Sequence, residues 1–279
     1  MAKNEIAVIN SENQLALAPS KEDMQFIMEE LSDMDRLPYG TVKIAAGGAN
    51  VYQVFEPGEE EPETEKELEG VIIMSHKSNG YWPNAFGGEN SAPDCYSNDG
   101  VTGVVAKTGE CRSCENCPYN AYGSAVGQNG TAGRGKACKN MRRLYIMRRG
   151  DIFPMVMTLP PTALGAYDKY RTKIMMARKK MMGVMTKFTL KTEKNADGIK
   201  YSVPIFDVLG VLNPTEAAAV SAYAASFQAS AARVTVSADD ANAAPSAQFT
   251  PTDEAFPEPP AEVVCEQAQM SDADFCPIE

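Results

Sequence analysis

The stretch "GECRSCENCPYN", residues 109–120, sets Cys111, Cys114 and Cys117 three residues apart, and five of the chain's seven cysteines fall between Cys95 and Cys138. The sequence around them, residues 78–139, is rich in Gly, Asn and Ser and shows little apolar periodicity. Such a segment cannot bury a core of its own and needs a cross-link to fold. In a reducing compartment, clustered cysteines read as metal ligands before disulfides. The N-terminal "MAKNEIAVINSENQ" has no cationic region followed by an apolar one, so it is not expected to be a secretory signal. Apolar runs such as "FPMVMTL" (153–159) are too short to span a bilayer, so no membrane partner is expected.

A structural zinc site takes four ligands, often with one close Cys pair. The natural set is Cys95, one close pair and Cys138. Cys114 belongs to either possible pair. The preferred one is Cys114 with Cys117, because the Pro and Asn of "CENCPYN" can end a knuckle turn. Cys111 is then a spare thiol or an alternative ligand. His76, the single histidine, precedes the insertion and is the other substitute. An iron–sulfur cluster takes the same four thiols, but nothing else in the chain speaks for redox chemistry. A closed site of four cysteines is structural and not hydrolytic, so zinc is the expected cofactor.

The remaining chain predicts alternating strands and helices. Ser20 with Asp23 forms a capping box for a first helix carrying Met24, Ile27, Met28 and Leu31 on one face. Thr41–Phe55 predicts one strand or a broken pair bent at Gly47 and Gly48. Residues 56–69 hold eight Glu and one Lys and predict a solvated loop. Leu68–Lys77 predicts a buried strand, and Arg142–Pro160 a strand pair or one long bent strand. Residues 162–182 predict a helix with a stripe of Leu164, Tyr167, Tyr170, Ile174 and Met175. A hairpin from Val184, turning at Asn195–Gly198, and a helix capped by Asn213 with Pro214 at its first position complete the pattern. The expected class is α+β, mostly β: an OB-fold-like five-stranded barrel with a zinc-bound insertion and flanking helices. Its divisions are an N-terminal helical segment (1–38), the OB-like nucleic-acid-binding domain (39–212) with its insertion at about 78–139, a C-terminal helix (213–236) and a disordered acidic tail (237–279).

The formal net charge of −11 hides a strong segregation. Of the 26 Lys and Arg, 19 lie between residues 101 and 200, against 6 Asp and Glu there. Residues 234–279 hold ten acids and no Lys or Arg. The expected nucleic-acid contacts are Arg134, Lys136, Lys139, Arg142, Arg143, Arg148 and Arg149, with the aromatics Tyr81, Trp82, Tyr119 and Tyr122 beside them in the chain. Cations pair with phosphates and rings stack on bases in a single-strand groove. The helix at 162–182 adds Lys169, Arg171, Lys173, Arg178, Lys179 and Lys180.

The ending "SDADFCPIE" resembles the acidic tails of single-stranded DNA-binding proteins of bacteria and their phages, with Asp272, Asp274 and Phe275 at the matching positions. In that family the tail recruits replication and repair partners and competes with DNA. "CENCPYNAYGSA", "GRGKACKNMRRLYIM" and "LPPTALGAYDKY" together look like a set of phage and mobile-element proteins associated with single-stranded DNA. The helix-destabilising proteins of some large phages are similar in joining an OB-fold to a structural zinc, although their ligands include His. Cys111 departs from the two-cysteine element.

The resemblance implies a non-enzymatic protein that coats single-stranded DNA in replication or recombination, in a bacterial host's cytoplasm, with protein partners at the tail. The alternatives are a zinc-ribbon regulator reading duplex DNA through helix 162–182, and a zinc-containing annealase or nuclease. Against an enzyme, the sequence has no Walker loop and no His-rich motif. Asp94, Asp99 and Asp151, the nearby acids, read as turn residues.

Overall fold

A computed structural model describes residues 7–9, 16–31, 39–83, 92–126, 133–194, 198 and 200–231. Within them strand dominates helix, 40% to 25%. The elements are α1 (Lys21–Leu31), β1 (Thr41–Ile44), β2 (Tyr52–Phe55), β3 (Glu63–Glu65), β4 (Leu68–Tyr81), β5 (Cys95–Ser97), β6 (Thr102–Val105), β7 (Cys111–Ser113), β8 (Lys139–Met147), β9 (Met155–Leu159), α2 (Pro161–Met176), β10 (Val184–Lys194), β11 (Lys200–Val211) and α3 (Pro214–Ala231). Two compact units emerge. The first draws on residues up to Ser75, Leu144–Thr158 and Ala163–Ala231, and the second on His76–Arg143 and Leu159–Thr162. The second contains the insertion expected at about 78–139. The chain passes between the units inside β4 and β8, and again inside β9 and at the start of α2, and the residues of these elements are divided between them.

In the first unit the strand order is β3-β2-β1-β9-β8-β4, and β10 pairs β4 and β11. β1 runs antiparallel to β2 and parallel to β9. Side-chain hydrogen bonds bring the two ends of this order together. Tyr52 Oη donates to Thr189 O at 3.1 Å, Ser202 Oγ to Ala49 O at 2.9 Å, and Thr192 Oγ1 to Gly48 O at 3.0 Å. Gly47 and Gly48, at φ +72° and +76°, make the tight connector that receives the last two of these bonds, with the bend where the sequence predicts it. The sheet therefore curls back on itself around Tyr52, Val54, Val71, Leu144 and Phe188, all fully buried. Pro204 sits in β11, where a missing N–H is tolerated because β11 pairs only β10 over this stretch.

The first and last helices form where their caps predict, whereas α2 begins at Pro161, one residue before its expected cap Thr162, and ends at Met176, short of the expected 182. Ser20 Oγ accepts from Asp23 N while Asp23 accepts from Ser20 N, closing the capping box of α1. Asn213 Oδ1 accepts from Glu216 N at 2.9 Å and caps α3. α2 buries Ala163, Tyr167, Tyr170 and Ile174. Tyr167, Tyr170 and Phe188 each stand 5.6–5.7 Å from the Phe206 ring. Such aromatic pairs add about 0.5–1.5 kcal/mol each beyond their area. The exposed Met175 departs from the expected stripe.

Residues 56–69 are not the uniform loop expected. Glu63–Glu65 forms β3, antiparallel to β2. An edge strand accommodates carboxylates pointing to solvent, and Arg148 anchors the run through Glu56 at 2.6 Å and Glu65 at 3.7 Å.

In the second unit, the end of β4 pairs β5, and β5-β6-β7 follow as a short antiparallel meander. Asp99 Oδ1 accepts from Val101 N, Thr102 N and Ser97 Oγ within 2.8 Å, fixing the β5–β6 turn. Asp99 is thus turn chemistry, as expected of it.

Candidate metal centre

Four strand and turn ends converge in the second unit. Cys95 opens β5, Cys114 follows β7, Cys117 precedes the 3-10 turn Pro118–Asn120, and Cys138 precedes β8. These four are free thiols, whereas Cys111, expected as a spare thiol or an alternative ligand, is disulfide-bonded and does not line their cavity. All four line one cavity of about 20 Å³, roughly the space one or two waters need, together with Asn79, Ser97, Gly103 and Tyr119. A Cβ on Gly103 would lie 3.2 Å from Cys95 Sγ and 3.5 Å from Cys114 Sγ, so glycine leaves room for both sulfurs. Among the described residues no three His, Cys, Asp or Glu are drawn into a closed metal-binding group. His76 is not part of the cavity lining. Its imidazole is held below its ordinary pKa by burial, with Arg143 and Arg142 nearby adding to the effect.

Four thiols around one cavity are a donor set of the kind that takes a dication. Burial pushes the Cys95 thiol up to about 11, and neighbouring Cys114 and Cys117 add to it. Burial also raises Cys114 and, with the other three cysteines, Cys138. Four mutually repelling thiolates would need a positive charge between them. Against that trend, the Asn79 and Ser97 side chains hydrogen-bond Cys114 and favour its thiolate.

Asn120 closes the knuckle. Its Nδ2 donates to Cys114 O at 2.6 Å and its backbone N to Cys117 O at 2.9 Å. Its Oδ1 accepts from Lys136 Nζ at 3.1 Å and Asn140 Nδ2 at 3.0 Å. Cys138 N donates to Tyr119 O at 2.8 Å, joining the fourth cysteine to the same turn.

The residues expected to meet nucleic acid divide by environment. Tyr122 is 84% exposed, with Lys136 Nζ 4.9 Å from its ring centroid. Arg134 is exposed and Arg142 half-buried. Tyr81 is buried and stacks on the half-buried Tyr119 at 4.4 Å. Trp82 is buried against Met141, with Tyr96 beside it and its ring over Gly80. Lys139 Nζ lies 5.2 Å from the Trp82 centroid, and burial brings its pKa down to about 8. Arg143 is 2% exposed. In the first unit, Arg148 is held by Glu56, Glu65 and Asp151, and Arg149 by Glu216 at 2.7 Å. The expected contacts thus fall in two different units, and only part of the set presents itself to solvent. The residues that sequence reasoning missed are Asn79, Ser97 and Gly103, for which spacing carries no signal. Asp272, Asp274 and Phe275 lie outside the described residues.

Compared with models of protein families, with curated proteins and with solved structures, the chain matches none.

Proposed function

We propose that this protein is a non-enzymatic single-stranded DNA-binding protein that coats transient single strands in phage or mobile-element replication or recombination. The carrying observation is Tyr122: a large ring 84% exposed, with an ammonium group over it, one turn beyond the cysteine knuckle. An unpacked ring next to a cation suits base stacking with phosphate pairing, and such contacts are sequence-tolerant. Lys136 at that ring, and the exposed Arg134 two residues before Lys136 in the chain, supply positive charge, within a segment (101–200) where 19 Lys and Arg face 6 acids. Tyr81, Trp82 and Lys139 then serve by shaping the surface from beneath. In the same reading the curled sheet of the first unit is OB-like. The acidic residues 237–279 compete with DNA and receive replication or recombination proteins.

Zinc is the cofactor of this reading, held by Cys95, Cys114, Cys117 and Cys138. Bound there, it supplies folding energy to a segment with few apolar residues and does no chemistry. The chain's own part is to hold the sulfurs: Asn79 and Ser97 toward Cys114, Asn120 across the knuckle, and Gly103 leaving the space.

The test is fluorescence anisotropy with mixed-sequence single-stranded and duplex oligonucleotides over a range of salt concentrations. Tighter single-strand binding with a steep salt slope is expected. Preference for duplex supports the regulator instead, and cleavage on adding a divalent metal supports the nuclease; either result sinks the proposal.

A further inference from the structure

We infer that the turn ending α2 is a second phosphate-binding element, in the first unit, with Arg178 at its centre. Its ligand, the DNA backbone, rests on the single-strand reading above; the peculiarity of the turn does not. α2 ends in a Schellman motif: Lys179 N donates to Ile174 O at 3.2 Å and Arg178 N to Met175 O at 2.8 Å. In that motif the residue carrying the second of these bonds adopts the left-handed conformation, and glycine is the usual occupant. Here it is Arg178, at φ +56°, the only non-glycine residue with positive φ among the described residues. Left-handed backbone is unfavourable for a side chain with a Cβ. The motif also commonly gains an apolar contact from the following residue, and here that residue is Lys179.

Stability therefore does not explain the residues chosen. A favourable interaction with the helix dipole explains cations in a last turn, such as Lys173. It does not explain displacing glycine, since the same charges fit around a glycine equally well. What the turn presents is charge. Lys169, Lys173, Arg178, Lys179 and Lys180 are exposed, and residues 169–180 contain no acid. Among the described residues none of these five is in an ion pair, in contrast to Arg148, Arg149 and Lys187. Lys169, Lys173 and Met176 share one face of α2, at i, i+4 and i+7, and Met176 is 80% exposed. The face continues into Arg178–Lys180. Polyanion complementarity commits this face to a phosphate chain.

The experiment is Arg178→Gly in the full-length chain, read by unfolding midpoint and by single-strand affinity against salt, beside Tyr122→Ala. Glycine is the better residue for the backbone, so the midpoint is expected to hold or rise by about 2–4 °C. Affinity is expected to fall about 5-fold at low salt, and the log–log salt slope to shrink by about 0.7, one phosphate contact. Arg178→Gly combined with Lys179→Ala and Lys180→Ala is expected to take about three times that slope. Unchanged slope in Arg178→Gly while Tyr122→Ala weakens binding overturns this inference and leaves the single-strand reading standing. A lowered midpoint makes Arg178 structural and also overturns it. A wild-type chain that does not bind single strands removes both.

Discussion

Cys114 shows why spacing stops short of a ligand set. Cys111 and Cys117 lie equally far from it in sequence, so the choice between them rests on backbone shape. Cys111 begins β7 and does not line the cavity that Cys114 and Cys117 share. Cys117 is joined to Cys114 by a turn that Asn120 closes from both sides. The Pro and Asn of "CPYN" mark that turn in the sequence, and its use as a metal knuckle is part of the proposal. Cys111→Ser is expected to retain one zinc per chain, and Cys114→Ser to lose it, as measured by metal analysis of the purified variants. The aromatics were less legible. Trp82, expected among the nucleic-acid contacts, is buried, and Gly80 provides the flat backbone on which its ring packs. Tyr122 is the opposite case, and Tyr122→Ala removes about 1–3 kcal/mol of stacking, roughly 5- to 150-fold in single-strand affinity by titration, with the unfolding midpoint unchanged.

Among elements, those with local signals were read closely. The caps of α1 and α3, the glycine bend between β1 and β2, and the β10–β11 hairpin all follow from short-range chemistry. Removing the α3 cap with Asn213→Ala is expected to cost about 1 kcal/mol in denaturant unfolding. The short strands β3, β5, β6 and β7 carry no legible signal because three or four residues are too few to show a period. The pairing of β3 and β5 comes from neighbours further off in sequence, as Tyr52 pairs Glu65 and Asn79 pairs Ser97. Gly70 in β4 is a second long-range constraint. An added Cβ there would meet Ile146 Cγ2 at 2.5 Å and Met147 O at 2.9 Å. Gly70→Ala is accordingly expected to cost about 1–3 kcal/mol, detected as a lower urea midpoint.

For the whole molecule, charge is the property that the sequence states most directly and averages hide most completely. Deleting residues 237–279 removes ten acids and no Lys or Arg, taking the formal net charge from −11 to −1. Single-strand affinity at fixed salt is expected to rise, and an unchanged or weaker value counts against a competing tail. The zinc reading also has a whole-molecule consequence. A chelator is expected to strip hydrogen-exchange protection from β5, β6 and β7 while β10 and β11 keep theirs. Uniform loss across both groups would mean that the site does not fold its own segment. The boundary between the units bears on engineering as well. The segment 76–143 begins inside β4 and ends inside β8, so both of its cut points fall within strands. Grafting this module into another protein means splicing two strands in mid-ladder. An odd-numbered error at Ser75–His76 would turn Asn79 and Tyr81 onto the face now held by Ser78 and Gly80.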